Sequence, residues 1–303
     1  MVPLDKQHSL LIMAYIQLTL AMVIVGSIAV VGKIAITQFP VMLFSELALG
    51  LASIGMIGWH NWFKGALPKL NKVQFKYLFI QTIFGVFLFR IFFLYGLHWS
   101  SAAMAGVLIS LTPVVITFLS VILLGEPITM QNALGIILCG MGIVFIQYQD
   151  VVMADNWMFL LGSGLIFLSV FCEALFTVFR KMLSNEALDP ITSNIYLCTI
   201  GAVLFLPFGL YDLLNFNLLE VSFEGWLPVF YTALFVNIIS FILWFRGVDR
   251  VKASTSGMFT LIMPISAIIL SNIILDESIT LVVLIGMTLV LAGIVFVLVP
   301  ISK

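Results

Sequence analysis

Charged residues are scarce in this chain of 303 residues. They make up 9% of it, against about 25% in an average soluble protein. Hydrophobic residues make up 62%, and the mean hydropathy is +1.22. This composition excludes an ordinary soluble domain and predicts a polytopic helical membrane protein. The net charge of −1 gives no indication of nucleic-acid binding, and we expect none.

Cysteine and histidine are also few, and they are scattered. Cys139, Cys172 and Cys198 each lie alone within an apolar run, and no CxxC or Cys/His cluster exists. We therefore expect no disulfide framework, no metal site and no cofactor. The sequence also lacks a nucleophile–base pair, a phosphate-cradling glycine loop and a cleavable signal-peptide pattern. An enzyme, or an ATP-driven pump built from this chain alone, is not expected.

Long apolar runs dominate what remains. About 20 apolar residues suffice for a helix to cross a bilayer. On that criterion we predict an all-α membrane protein with ten transmembrane helices, at residues 9–32, 40–60, 76–97, 101–124, 132–149, 157–180, 191–211, 226–247, 253–275 and 280–300. The longest connectors between them are too short to hold a further domain.

Lysine and arginine set the predicted orientation, because cytoplasmic segments carry an excess of them. With the N-terminus inside, Lys33 alone falls on the outer side, and Arg90 lies within a helix. The cytoplasmic segments hold Lys6, Lys64, Lys69, Lys72, Lys76, Arg180, Lys181, Arg246, Arg250, Lys252 and Lys303. We therefore expect a multi-pass protein of a bacterial inner membrane with both termini in the cytoplasm.

One long segment occurs twice, since residues 102–145 align without a gap with residues 253–296. Glycines, a proline and a carboxylate recur in register: Gly106 with Gly257, Pro113 with Pro264, Glu126 with Glu277, Gly135 with Gly286 and Gly142 with Gly293. We predict two homologous halves, residues 1–150 and 151–303. Five helices per half is an odd number, so the second half lies inverted. Many secondary transporters are built this way, with substrate bound near the bilayer midplane.

Two prolines lie near the middle of predicted helices 4 and 9. Pro113 and Pro264 lack an N–H, so the carbonyls of Ile109 and Thr260 lose their helical partners. Membranes tolerate such carbonyls where they face protein or a wet cavity. The symmetric placement favours a central cavity over ordinary packing kinks. Candidate substrate contacts there are Ser110, Thr112, Pro113, Thr260 and Pro264, with Tyr95 and Trp244 as candidate walls.

Three charges lie within spans, where charge is costly and is a functional candidate by default. Glu46 and Arg90 lie at similar depth on consecutive antiparallel helices, so we predict that they pair. The pair is either a static packing device or a substrate site, in which Arg90 anchors a carboxylate and Glu46 holds it at rest. Glu173 is either neutralised by Arg180 or titrates and couples proton movement to transport.

The motifs resemble the EamA-type family of the drug/metabolite transporter superfamily over essentially the whole chain. The resemblance is carried by the mid-helix proline, by Gly125-Glu126-Pro127-Ile128-Thr129 with Gly135, Leu138 and Gly142 after it, by Asp276-Glu277-Ser278-Ile279-Thr280, and by Lys33 and Lys181 as helix-ending lysines. It implies a secondary transporter, often an exporter of amino acids or related metabolites and sometimes of drugs. Family members commonly carry an arginine in the second span, where this chain has Glu46. Glu126 and Glu277 are expected to cap helix ends.

We expect an exporter of small metabolites that works by alternating access. Amino acids are the leading substrates, because the predicted cavity is aromatic and holds few charges. Three alternatives stay open: efflux of lipophilic cations with Glu46 or Glu173 as counter-charge, flipping of a lipid-linked substrate, and a membrane assembly subunit that transports nothing. The expected partners are the small-molecule substrate, the lipid bilayer and protons, and the chain is expected to act as a monomer or a homodimer.

Overall fold

The computed structural model describes residues 4–109, 111–124, 157–183, 188–248, 259–260 and 262–298, with isolated positions at 130, 134, 137, 138, 141, 142, 145 and 250. Every regular element in this part of the chain is helical, and no strand occurs in it. Six stretches are long and apolar enough to cross a membrane: 11–38, 41–64, 72–99, 157–176, 190–213 and 223–244. Shorter apolar helices cover 104–116, 262–275 and 281–293.

The helices follow one another with short connections. In chain order they are α1 (Leu4–Gly26), α2 (Ile28–Gln38), α3 (Val41–Lys64), α4 (Lys72–Thr82), α5 (Phe89–Trp99), α6 (Ala102–Ile109), α7 (Thr112–Leu124), α8 (Trp157–Leu183), α9 (Pro190–Leu213), α10 (Phe223–Tyr231), α11 (Phe241–Val248), α12 (Ile262–Leu275) and α13 (Leu281–Leu298). A 3₁₀ turn covers Leu218–Glu220.

Local chemistry fixes several helix ends. Asn71 accepts from the Gln74 backbone N–H at 2.7 Å, and the Gln74 side chain accepts from the Asn71 N–H at 3.0 Å, which is a capping box at the start of α4. Asp189 caps α9 in front of Pro190, whose fixed φ suits a first helical position. Gly65, with φ of 83°, ends α3 in a conformation that side chains disfavour.

Two π-helical segments interrupt the long spans. The first covers Ile83–Leu88 between α4 and α5, and the second covers Thr232–Ser240 between α10 and α11. π-helical turns are rare and are frequently found at functional sites. Shifting the first segment by the spacing of the sequence repeat places it inside the second. The two π-helical segments are therefore related by the same spacing of 151 residues, although they precede the aligned segments.

The most extensive helix contacts join α3 to α9, α5 to α8, α6 to α12 and α1 to α11. Each of these pairs takes one helix from residues 4–124 and one from residues 157–298, so the two parts interleave instead of forming separate bundles. Glycine permits one of the closest crossings. A Cβ at Gly162 of α8 would lie 2.8 Å from the Gly96 carbonyl oxygen of α5.

The observed helices extend several of the sequence predictions. The first span continues to Gln38 with a bend at Ser27, so Lys33 lies within it and not at its end, as the resemblance had implied. The predicted turn at Phe39-Pro40 is present between α2 and α3. Predicted helix 5, the boundary at residue 150 and the start of predicted helix 9 fall largely or wholly outside the described residues.

Candidate functional site

Three polar constellations connect residues 4–124 to residues 157–298. The first lies at the Lys33 end of the molecule. Lys33 forms an ion pair with Glu277 at 3.8 Å and donates to the Ser100 carbonyl oxygen. Glu277 Oε1 also accepts from the Ala102 backbone N–H at 3.1 Å. Because Ala102 begins α6, this carboxylate caps a helix whose positive end favours it. Glu277 caps a helix end as expected, but the helix that it caps is α6, which lies far earlier in the chain. Glu126, for which the same role was expected, lies outside the described residues.

The same end is tightly packed. A Cβ at Gly106 would lie 2.8 Å from the Ala267 Cβ and 3.3 Å from the Pro264 carbonyl oxygen, so α6 and α12 are in direct contact. Ser266 donates from Oγ to the Val23 carbonyl oxygen at 3.0 Å, which joins α12 to α1. The helices from residues 4–124 and from residues 157–298 are therefore in close contact at the Lys33 end. The Lys33–Glu277 ion pair also joins these two parts of the chain.

The second constellation lies at the break between α6 and α7, next to Pro113. Thr112 Oγ1 donates to the Ile109 carbonyl oxygen at 2.8 Å, so a side chain satisfies the group that Pro113 deprives of its helical partner. Thr112 Oγ1 also lies 3.3 Å from Glu173 Oε2 of α8. The Ile109 carbonyl has lost its helical hydrogen bond, as predicted. It does not face a cavity unpaired, because the Thr112 hydroxyl donates to it. Ser110 falls outside the described residues.

A matching interruption precedes Pro264. Phe259 is helical, Thr260 is in a turn, and α12 begins at Ile262. The Thr260 carbonyl oxygen accepts from the Met263 N–H at 3.1 Å, a tighter spacing than in an α-helix. Pro264 itself is buried, and its carbonyl oxygen lies at the contact with α6. The two breaks occupy equivalent positions in the aligned segments.

The third constellation is a buried group that we call the arginine–amide cluster, formed by Arg90, Asn194 and Asn237. Arg90 of α5 is 6% exposed, and its Nη2 donates to Asn237 Oδ1 at 2.5 Å. Asn237 Nδ2 donates to the Ala48 carbonyl oxygen at 3.2 Å, and Asn194 Nδ2 donates to the Asn237 carbonyl oxygen at 2.8 Å. The cluster connects α3, α5, α9 and the second π-helical segment.

The predicted ion pair between Glu46 and Arg90 is wrong. Among the described residues the only ion pair within 4.0 Å is that of Lys33 and Glu277, and Arg90 contacts Asn237 instead. Glu46 lies against α9, since a Cβ at Gly209 would be 2.9 Å from the Glu46 Cβ. Glu46 Oε2 and Arg90 Nη1 are both buried without a hydrogen-bond partner.

The aromatic candidates do not gather at one place. Tyr95 is 38% exposed and lies five residues after Arg90 on α5, so the two side chains leave the helix about 140° apart. Trp244 of α11 is partly buried and packs against the main hydrophobic core. The Arg180 side chain, which was to neutralise Glu173, lies outside what the structure describes.

Sequence reasoning missed the neutral members of these sites. It searched the spans for formal charges, whereas Asn194 and Asn237 are 1% and 3% exposed and make the contacts to Arg90 and to backbone. Asp212, also missed, accepts from the Leu43 N–H at 3.2 Å near the start of α3. An amide in the middle of an apolar run was the available signal, because a buried amide needs partners in lipid.

Comparison with known proteins agrees with the composition and the helical architecture. The sequence model of the EamA-like transporter family matches twice, over residues 12–148 and 160–299. The chain is 37% identical to the uncharacterized transporter YetK of Bacillus subtilis over 93% of this chain and 85% of that one. It is 29% identical to an uncharacterized transporter of Archaeoglobus fulgidus over 72% and 75% of the two chains.

A solved crystal structure has the same fold, with a TM-score of 0.65 over 96% of this chain and 97% of the other, at 16% identity. That likeness concerns the fold alone. The family matches cover most of the sequence and include both breaks, the arginine–amide cluster and the Lys33–Glu277 contact. The chain is a multi-pass membrane protein and belongs to the EamA-like transporter family.

Proposed function

We propose that the protein is a secondary transporter that exports small metabolites by alternating access, with amino acids as the leading substrates. The observation that carries this proposal is the pair of helix breaks before Pro113 and Pro264, at equivalent positions of the aligned segments. Helices broken near mid-depth are typical of transporter substrate sites, because they turn backbone groups towards a cavity.

The proposal includes ten spans in two inverted halves, residues 1–150 and 151–303. Two family-model matches, one in each half, support it. The packing supports it as well. In the proposed repeat, α5 belongs to the third span of the first half and α8 is the first span of the second half. Their symmetry-related contact joins α1, the first span, to the third span of the second half. The contact of α1 with α11 is of this kind. The contacts of α3 with α9 and of α6 with α12 each join corresponding helices of the two halves. A two-fold axis that relates the halves leaves such contacts unchanged.

The orientation of the chain in the membrane indicates which side of the transport pathway the α6–α12 contact closes. With both termini in the cytoplasm of a bacterial inner membrane, the Lys33 end is the outer end. The contact of α6 with α12, capped by Glu277 at the start of α6, then closes the outer pathway. We infer that the structure corresponds to a state closed on the outer side, and that release of substrate to the outside requires this contact to separate.

In this scheme Thr112, Pro113, Thr260 and Pro264 lie at the level of the breaks. Ser110, Arg90, Glu46, Tyr95 and Trp244 stay substrate-contact candidates from the sequence. Glu173 is the candidate for proton coupling, because its carboxyl group lies beside Thr112 at the break in the α6–α7 span. When protonated, Glu173 donates to the Thr112 oxygen while Thr112 donates to Ile109, and the geometry of the break then depends on one proton.

Flux in reconstituted vesicles tests the function. Purified protein in liposomes should catalyse counterflow of at least one neutral amino acid above protein-free vesicles, and an imposed pH gradient should drive net accumulation. A matched panel of lipophilic cations tests the second candidate, multidrug efflux, which the unpartnered Glu46 Oε2 favours. Flux of neither class, from protein that remains folded, contradicts the proposal.

A further inference from the structure

Among the described side chains, the titratable group that acts on the charge of Arg90 is the buried thiol of Cys198, a weak acceptor and not a carboxylate. The guanidinium is 6% exposed, its Nη2 bonds a neutral amide, and its Nη1 is buried without a hydrogen-bond partner. No described carboxylate lies within 4.0 Å of the Arg90 guanidinium, because the one ion pair among the described residues is that of Lys33 and Glu277. A buried charge in a membrane is retained only when another group offsets its desolvation.

The surrounding amides hold the guanidinium in place without neutralising it. Asn237 uses Nδ2 on the Ala48 carbonyl, which leaves Oδ1 facing Arg90. Its carbonyl oxygen in turn receives the Asn194 amide. Both amides are therefore committed to contacts that fix one face of Arg90, and Nη1 remains as a donor with a definite direction. A site arranged in this way is prepared for a strong, anionic acceptor, which the Cys198 thiol is not.

The cluster also lies where the backbone is irregular. Arg90 follows the first π-helical segment by two residues, and Asn237 lies within the second. Arg90 lies about 13 Å along the helix axis from Trp99 at about 1.5 Å per residue, which is about one third of the length of the 28-residue span and well away from its ends. Both features are those expected of a transport site and not of a packing contact at a membrane surface.

We infer that Arg90 Nη1 binds an anionic oxygen group of the transported molecule, such as a carboxylate, with Asn237 holding the guanidinium in place. This inference rests on the proposed transport function and deepens it by naming the group recognised. Arginine suits the task, because its charge-assisted hydrogen bonds to carboxylates are the strong ones. In the structure the site is enclosed, so the anion enters when the helices around it separate.

Paired probes that differ in the carboxylate alone test the inference. One equimolar mixture contains the neutral amino acids, and the other contains their amides. Each is used to compete with tracer counterflow in vesicles and to stabilise the purified protein thermally. Wild-type protein should prefer the acids, and Arg90→Gln should reduce that preference by at least about tenfold. Arg90→Lys should keep part of it, and Arg246→Gln, on an exposed arginine at the end of α11, should keep all of it.

The remaining outcomes separate the two proposals. Equal competition by acids and amides, or an unchanged preference in Arg90→Gln, overturns the anion site while transport stands. Absence of flux for acids and cations alike overturns the transport function itself. If Arg90→Gln does not fold, Arg90→Lys and Glu46→Gln/Arg90→Gln replace it. Folding restored by the double substitution shows that Glu46 is the counter-charge in another state, which also overturns the anion site.

Discussion

At Thr112 one hydroxyl group serves both the backbone and a carboxylate. Replacing Thr112 with valine preserves shape but leaves the Ile109 carbonyl, which Pro113 has already deprived of its helical bond, without a donor. We expect Thr112→Val to lower the free energy of unfolding by about 1–3 kcal/mol, the cost of a buried unsatisfied polar group. Thermal unfolding in detergent measures this. Thr112→Ser retains the hydroxyl and should lose much less, and equal losses in the two variants would contradict the assigned role.

Glu173 carries a separate prediction at the same scale. Glu173→Gln keeps a polar group beside Thr112 but removes the titratable proton. We expect counterflow, which needs no net driving force, to persist, while accumulation driven by a pH gradient is lost. The measurement compares the two assays in the same vesicles. A variant that still accumulates substrate in response to a pH gradient excludes Glu173 as the coupling residue.

The Glu46–Arg90 prediction shows what sequence decides about a residue and what it leaves open. Counting residues from the helix ends gives depth, because the rise per residue is constant. It does not give the face from which a side chain leaves, nor which helix lies opposite. Here α3 packs chiefly on α9, so Glu46 meets Gly209, while Arg90 reaches the second π-helical segment. Those facts follow from tertiary packing, which a single sequence does not specify.

At the scale of elements, the crossing of α5 and α8 depends on two glycines. A Cβ on Gly162 would lie 2.8 Å from the Gly96 carbonyl oxygen and 2.9 Å from the Ser100 nitrogen, which are backbone atoms. We expect Gly162→Ala to separate the helices and to cost about 1–3 kcal/mol, as overpacking does. Thermal unfolding and the monodisperse fraction after purification measure the loss.

The same helix offers a matched control. A Cβ on Gly164 would meet nothing within 4 Å, so Gly164→Ala adds a methyl group in open space. Because alanine favours a helix over glycine by about 1 kcal/mol, this variant should be neutral or slightly stabilising. Equal destabilisation by both substitutions would show that the close crossing does not determine the stability of the pair.

Some irregular elements could be predicted from the residue types in the sequence, and others could not. The breaks near Pro113 and Pro264 were predictable from their symmetric placement in the sequence repeat, because a residue without an N–H removes a helical hydrogen bond. Proline alone was not a sufficient signal, since Pro207 and Pro228 lie inside continuous helices.

The π-helical segments were not predicted. Ile83–Leu88 is an apolar run whose one small residue is Gly85, and a Cβ there would clash with the ring of Phe176 in α8. A π-helical segment forms where tertiary packing stabilises a wider turn, and the residues that provide this packing are distant in sequence.

At the scale of the whole molecule, the Lys33–Glu277 contact holds one conformation. Lys33 lies in the first half and Glu277 in the second, and Glu277 also caps α6. A partly exposed ion pair contributes up to about 1 kcal/mol and a helix cap contributes about 1 kcal/mol. In the proposed transport cycle, together they would favour the closed over the open state of this end by roughly 1–2 kcal/mol, a factor of about 5–30. Removing both terms should therefore populate the open state measurably.

A thiol placed under the contact reports that population. Ser266→Cys is nearly isosteric at a position 8% exposed, and the described native cysteines, Cys172 and Cys198, are buried. Its reaction with a membrane-impermeant maleimide from the outer side should accelerate about 5–30-fold when Glu277→Ala is added. Glu277→Gln keeps an acceptor for the Ala102 N–H and should give a smaller increase. Lys64→Met, at a cation outside the contact, should give none. Equal rates in all backgrounds would mean that the contact does not control opening, because a group that stabilises one state alone must shift the equilibrium when it is removed.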